Sequence, residues 1–175
     1  MKHLLSMTAA LLLGLTAWSQ TRIPQLDRAA GKRVTFHYSY SLSREGADFS
    51  PVTEGRVVVE DNAYCIDGLE MEVISDGSVR WTLDRQAREA VVEAQEQDDI
   101  MVNPALLVRN YQRYGKRIHV RNGTDTTLDV VVDLDEDLRA RFVLSDIYYT
   151  EPQGKSDFSL DEKSLSGDYV VTDLR

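Results

Sequence analysis

The sequence has a single cysteine, Cys65, among 175 residues. One cysteine excludes an intramolecular disulfide, so the domain must be stabilised by its own apolar core. Cys65 falls in a predicted strand with no charged partner predictable beside it. This position favours a buried, apolar role over a reactive thiol.

Catalytic signatures are also missing. The sequence contains no nucleophile elbow, no glycine-rich phosphate loop and no HExxH motif. His37 and His119 fall on the polar faces of predicted strands, without a Cys, Asp or Glu cluster at metal-ligand spacing. We therefore expect no enzyme activity, no metal site and no cofactor. A hydrolase acting on lipid or glycan is the least favoured alternative.

One acidic segment, Asp133-x-Asp135-x-Asp137, resembles the start of a calcium loop. Leu138 stands where such a loop needs glycine, and Leu144 stands where it needs an acidic ligand. The segment is therefore interpreted as a charged hairpin turn.

A long apolar run occurs only at the start of the sequence. Lys2 and His3 precede apolar residues 4–15, a stretch too short to span a bilayer. Ala17-Trp18-Ser19 places small residues where a signal peptidase reads, which predicts a secretory signal over residues 1–19. The mature chain, residues 20–175, has 175 − 19 = 156 residues, a usual size for one domain. We expect an exported, periplasmic protein.

Positive charge is scarce. The formal net charge is −9, with 20 Lys and Arg against 29 Asp and Glu, and removing residues 1–19 gives 19 − 29 = −10. Binding to nucleic acid or to an anionic membrane relies on basic patches, so this balance disfavours both. We expect a soluble monomer.

Alternation of apolar and polar residues is the main structural signal. Leu69, Met71 and Val73 alternate with glutamates, residues 75–78 predict a turn, and Val79, Trp81 and Leu83 alternate again. Such strands are half-buried in an antiparallel sheet. Further strands are predicted at 34–42, 56–60, 63–66, 88–94, 118–120, 128–134, 138–144 and 169–171, with a loop at 46–51. The fold class is mainly β, and one face of the sheet must be covered.

Few helices are predicted. Asn103 is a good N-cap and Pro104 suits the first helical position, which predicts a helix that reaches Tyr114 and ends at Gly115. One or two helical turns are expected within residues 23–30. Asn122-Gly123 predicts the turn of a hairpin, with Ile118 and Val120 facing inward.

The inward faces carry many aromatic residues. They are interpreted either as an ordinary core or as the lining of an apolar cavity, because few helices are present to cover a broad curved sheet. The residues expected to line such a cavity are Phe36, Tyr38, Tyr40, Val57, Tyr64, Met71, Val73, Trp81, Phe142 and Leu144 from the sheet, with Leu107 and Tyr111 from the helix.

The order of these motifs resembles the LolA family of periplasmic outer-membrane lipoprotein carriers. The resemblance rests on the strand–Ser75-Asp76-Gly77–strand hairpin with Trp81 in its second arm, and it extends over residues 34–175. Its other motifs are Glu54-Gly55-Arg56-Val57-Val58-Val59, the Asn103-Pro104-led helix, and the closing segments Phe158-Ser159-Leu160 and Val170-Val171-Thr172-Asp173-Leu174-Arg175.

The resemblance implies an incomplete antiparallel β-barrel covered by helices. It implies a carrier that shields lipoprotein acyl chains, receives them from an inner-membrane ABC-type exporter and passes them to an outer-membrane receptor. A sensor of lipid or lipoprotein with the same fold is the alternative. The family often has an arginine just after the glycine-led strand, where it latches the helical lid, but this chain reads Glu60-Asp61-Asn62.

Overall fold

The structure is a computed structural model that describes residues 22–68, 70–95, 103–165 and 167–175. The predicted signal peptide at 1–19 and the inward position of Leu69 lie outside these residues. The strands are β1 (Arg33–Arg44), β2 (Ser50–Glu60), β3 (Ala63–Gly68), β4 (Met71–Ser75), β5 (Val79–Asp84), β6 (Glu89–Ala94), β7 (Ile118–Gly123), β8 (Leu128–Asp133), β9 (Leu138–Thr150) and β10 (Val170–Asp173). The α-helices are α1 (Pro24–Asp27) and α2 (Pro104–Asn110), and 3₁₀ segments span Tyr111–Arg117, Lys155–Phe158 and Glu162–Ser164.

All ten strands form one open sheet. Their order is β10-β6-β5-β4-β3-β2-β1-β9-β8-β7, so β10 and β7 are its two edges. The prediction of a mainly β fold with few helices is confirmed. Neighbouring strands are antiparallel except β10, which pairs in parallel with β6 because the chain returns to the sheet from the far end of β9.

The main core lies on the face of the sheet that α1 and α2 cover. Asn103 caps α2, because its Oδ1 accepts hydrogen bonds from the backbone N–H groups of Ala105 at 2.9 Å and Leu106 at 3.3 Å. The α-helix ends at Asn110 instead of continuing to Tyr114, and a 3₁₀ segment containing Gly115 at φ 54° follows. Leu107, Tyr111 and Tyr114 are nevertheless buried, as the predicted apolar stripe requires.

A second, smaller core lies on the opposite face, over β4, β5 and β6. The C-terminal segment packs there against the sheet. Its sheet residues are Ile74, Trp81, Leu83, Ala90 and Val92, and the residues packed against them include Leu160, Leu165, Tyr169 and Val171.

The predicted Asn122-Gly123 turn is wrong. Both residues belong to β7, and the turn lies beyond them, closed by a 3.0 Å hydrogen bond from the Thr124 N–H to the Thr127 carbonyl. A β-carbon on Gly123 would come within 2.9 Å of Gln25 Nε2, the mobile end of a long side chain.

Three other strand predictions need correction. β2 begins at Ser50, within the predicted 46–51 loop, because that segment pairs with the end of β1. β9 continues to Thr150, well past the predicted end at Leu144. Val120 pairs with the core-facing Val130 but is 48% exposed, because β7 is an edge strand.

Candidate functional site

An open cavity of about 560 Å³ lies between strands β3–β5 and the start of α2. Its size falls within the roughly 300–1,000 Å³ usual for small-molecule sites. It is lined by Tyr38, Val52, Thr53, Ile66, Gly68, Glu70, Met71, Val73, Arg80, Thr82 and Asn103. The cavity therefore opens on the core-facing side of the sheet.

The cavity combines a buried apolar floor with an exposed apolar rim. Tyr38 and Ile66 are buried at 6% and 7% exposure, whereas Val52 and Met71 at the rim are 52% and 47% exposed. Large apolar side chains left half in water at a concave site are typical of a surface that binds an apolar ligand.

The basic group that lines the cavity, Arg80, is already engaged. Arg80 donates from Nε and Nη2 to Glu93 Oε1, at 3.1 and 3.0 Å, so its charge is neutralised by β6. Burial raises the pKa of the Tyr38 hydroxyl, which keeps that group neutral at physiological pH. The arrangement offers an apolar surface with weak polar guidance, suited to a hydrocarbon more than to a charged ligand.

The same face continues past the cavity towards the β10 edge. Met71 pairs with Asp84, which pairs with Glu89, which in turn pairs with Val170. Directly paired residues share a face of a sheet. Val170 is 65% exposed, but the carboxylates of Asp84 and Glu89 lie between it and Met71 in this row, so the apolar surface of the cavity does not extend unbroken to the β10 edge.

Three of the twelve predicted cavity residues line this cavity: Tyr38, Met71 and Val73. Eight others are packed in the main core at 3% exposure or less, namely Phe36, Tyr40, Val57, Tyr64, Leu107, Tyr111, Phe142 and Leu144. The rings of Tyr40 and Phe142, for example, lie 4.9 Å apart between centroids. Most of the residues predicted to line a cavity therefore form an ordinary apolar core. The open cavity lies beside this core.

Trp81 does not face the cavity, which corrects the prediction. Val73 pairs with Thr82, whereas Trp81 pairs with Ile74, so Trp81 and Val73 lie on opposite faces. Four residues separate the paired Ser75 and Arg80, so odd-numbered residues of β4 share a face with even-numbered residues of β5. In both β4 and β5 the apolar residues have odd numbers, so the sequence pattern alone did not reveal that the two sets lie on opposite faces.

The structure adds several cavity residues that the sequence reasoning missed, including Val52, Arg80 and Thr82. Arg80 and Thr82 were assigned to the polar, outward face of their strand. The length of the turn between β4 and β5 was the signal that would have placed Arg80 and Thr82 on the cavity side, because it sets the pairing register of the two strands. Val52 lies between the predicted loop at 46–51 and the strand predicted from 56, and was assigned to neither.

Tyr111 lines a different cavity, of about 630 Å³, between α1, the β2–β3 turn and α2. Its hydroxyl donates a hydrogen bond to Asp27 of α1. Arg109 of α2 donates to Asn62 of the β2–β3 turn, and burial lowers the pKa of its guanidinium group. Polar contacts therefore fasten α2 to α1 and to the sheet, at the position where the resemblance implies a lid.

The histidines have carboxylate partners at the surface. His37 Nδ1 lies 3.3 Å from Asp146 Oδ2, and His119 Nε2 lies 2.7 Å from Asp133 Oδ2. Among the residues that the structure describes, no group of three or more His, Cys, Asp or Glu is placed to hold a metal ion. The Asp133–Asp137 segment forms the β8–β9 turn, as expected.

Across the described ranges, no helix has the length and apolar character needed to cross a bilayer.

Comparison with known proteins gives no family assignment. No protein-family model and no curated protein matches the sequence. Among solved structures, the chain is similar to the crystal structure of an uncharacterized conserved protein from Thermus thermophilus, with a TM-score of 0.47 and 6% sequence identity. The similarity covers 85% of this chain and 94% of that chain.

Proposed function

We propose that this protein is a periplasmic carrier that binds the acyl chains of lipoproteins and moves them towards the outer membrane. The observation that carries the proposal is the open cavity whose rim exposes Met71 and Val52 on the core-facing side of the sheet. The sheet would act as an incomplete β-barrel, with α1 and α2 as its cover. This architecture is the one expected from the resemblance to LolA.

Burial of a hydrocarbon supplies the binding free energy. Each methylene removed from water contributes about 0.8 kcal/mol, so ten methylenes contribute roughly 8 kcal/mol before the costs of association. Affinity of that order allows capture but slows spontaneous release. A carrier of this kind therefore receives its cargo from an inner-membrane ABC-type exporter and delivers it to an outer-membrane receptor.

The direct test is capture of cargo by the purified chain, residues 20–175. We expect the protein to keep a synthetic triacylated peptide soluble, and mass spectrometry of protein taken from the periplasm to find acyl lipid bound to it. A protein that neither holds the peptide in solution nor carries lipid would refute the proposal.

A matched pair of variants locates the binding site. Met71→Glu places a charge at the cavity rim, and we expect it to abolish acyl-peptide capture. Val120→Glu changes a residue of similar exposure, 48% against 47%, on the same face but at the opposite edge of the sheet, and it should leave capture unchanged. Equal loss of capture in both variants would place the binding site elsewhere.

A further inference from the structure

The edge strand β7 and the 3₁₀ segment before it form a basic edge, defined by Arg113, Lys116, Arg117, His119 and Arg121. All five side chains belong to exposed residues. Residues 103–124 contain five of the chain's 20 Lys and Arg residues and none of its 29 Asp and Glu residues. A chain with a net charge of −9 therefore presents one edge of opposite sign.

The basic edge coincides with an unpaired side of the sheet. β7 is the last strand in the sheet order, and it pairs only with β8 among the strands that the structure describes. Only Ile118 of its six residues is buried. The outer side of an edge strand offers backbone N–H and C=O groups to another extended segment, although the Gly123 N–H already donates to Asn122 Oδ1 at 2.8 Å.

Four of the five basic side chains of this edge have no ion-pair partner within the described part of the sheet. The nearby carboxylates already have partners. Arg141 donates two hydrogen bonds to Asp129, at 3.0 and 2.8 Å, and His119 is paired with Asp133. Within residues 22–68, 70–95, 103–165 and 167–175, no ion pair includes Arg113, Lys116, Arg117 or Arg121. The positive potential therefore extends into solvent.

The positive charge of the basic edge limits the kinds of partner that β7 can bind. Charged edge strands usually prevent unwanted pairing, and a second copy of β7 would bring like charges together. Adsorption to an anionic membrane is opposed by the net negative charge of the chain, and Val120 is the only large apolar residue exposed within described residues 113–123. An extended segment that carries carboxylates can form hydrogen bonds with the backbone of β7 and ion pairs with the basic side chains of this edge.

We propose that β7 binds an extended, carboxylate-bearing segment of a partner protein by strand addition. The backbone of β7 supplies the ladder hydrogen bonds, and Arg121 within the strand and Arg117 just before it select acidic side chains. The site is separate from the acyl cavity, since the sheet order places β9 and β8 between β7 and β1, the cavity-lining strand that is nearest to it.

The test uses a fluorescent, end-blocked peptide that alternates Glu with Val. We expect saturable binding by fluorescence anisotropy, at least about tenfold weakening when salt rises from about 0.15 to about 0.5 M, and protection of β7 amides in hydrogen exchange. The same peptide with Lys in place of Glu should not bind. A peptide N-methylated at every residue should also not bind, because it keeps no backbone N–H donor on either edge.

Two double variants separate local from overall charge. Arg117→Glu with Arg121→Glu should weaken binding at least about tenfold. Arg56→Glu with Lys163→Glu makes the same change in net charge at exposed residues away from β7, and should leave binding unchanged. Circular dichroism confirms that each variant is folded. Equal effects of the two double variants, or tight binding of the N-methylated peptide, would overturn strand addition, as would binding to phosphatidylglycerol vesicles without binding to the peptide.

Discussion

The buried carboxylate of Glu60, at the end of β2, accepts a 2.8 Å hydrogen bond from the backbone N–H of Gly154. It also accepts a 2.9 Å bond from the N–H of Gln153, and Arg33 Nη1 lies 3.6 Å from it. The C-terminal segment leaves β9 at this point to cross to the opposite face of the sheet. Glu60 therefore anchors the segment that covers the second core.

Glu60→Ala should lower the free energy of unfolding by about 3 kcal/mol, because two backbone N–H groups and the 13%-exposed side chain of Arg33 lose a charged partner. Urea unfolding measures the change. Hydrogen exchange should show the largest loss of protection in β10, which depends on the anchored segment for its position.

Glu151→Ala is the control for this prediction. Glu151, at the start of the C-terminal segment, also forms an ion pair with a distant part of the chain, Lys32, but its side chain is 82% exposed. An exposed ion pair contributes about 0–1 kcal/mol, so this change should barely affect unfolding. A loss as large as that of Glu60→Ala would contradict the assignment of Glu60 as the anchor.

Opposite placement of Met71 and Trp81 separates ligand binding from stability. Trp81→Ala should lower the free energy of unfolding by about 3–5 kcal/mol, because it leaves a cavity in the second core. The fraction that remains folded should still capture the triacylated peptide. Met71→Glu should show the reverse result, with capture lost and stability little changed, since Met71 is half exposed. Loss of capture by folded Trp81→Ala would show that the two faces are coupled.

Periodicity alone recovered most of the sheet and the cap of α2. Alternation located β1, β3, β4, β5, β6 and β8, because each is apolar on one face and polar on the other, and Asn103-Pro104 marked the start of α2. These features depend on local sequence. The LolA resemblance remains a prediction.

Features that depend on tertiary pairing were not predictable in this way. The face of Trp81 follows from the register of one turn, and the parallel pairing of β10 follows from the return path of the C-terminal segment. Asn122-Gly123 has the composition of a turn, yet it extends β7 because its pairing with Asp129 and Leu128 of β8 decides the register. The cavity has the same origin, since it depends on which apolar residues the helices leave uncovered.

Gly55→Ala should destabilise the protein by about 3 kcal/mol or more. A β-carbon at Gly55 would lie 2.2 Å from the backbone oxygen of Asp67, so β2 and β3 would have to separate. Gly167→Ala is the control, since a β-carbon there meets no atom within 4 Å, and its effect should stay within about 1 kcal/mol. Thermal unfolding of both variants measures the difference, and similar melting temperatures would contradict the close approach of the two strands.

Cys65 should be unreactive in the folded protein. Burial, together with the carboxylates of Glu72 and Asp67, raises the pKa of its thiol from 9.0 to about 11. Thiolate is the reactive form, so alkylation by iodoacetamide at pH 9 should be at least about tenfold slower in folded than in urea-unfolded protein. Equal rates would contradict the burial of Cys65 between the sheet and the C-terminal segment.

The same shift predicts a loss of stability at alkaline pH. A thiol whose pKa is raised on folding favours the folded state fully below pH 9.0, and this contribution is lost as the pH rises through about 11. Burial likewise raises the pKa of the Tyr114 hydroxyl, from 10.0 to about 12, so its contribution is lost at still higher pH. Urea unfolding between pH 8 and pH 11 should therefore show a steady decline for the wild type. Cys65→Ser should flatten the decline between pH 9 and pH 11 while leaving the later loss due to Tyr114, and an unchanged slope in this variant would exclude Cys65 as its source.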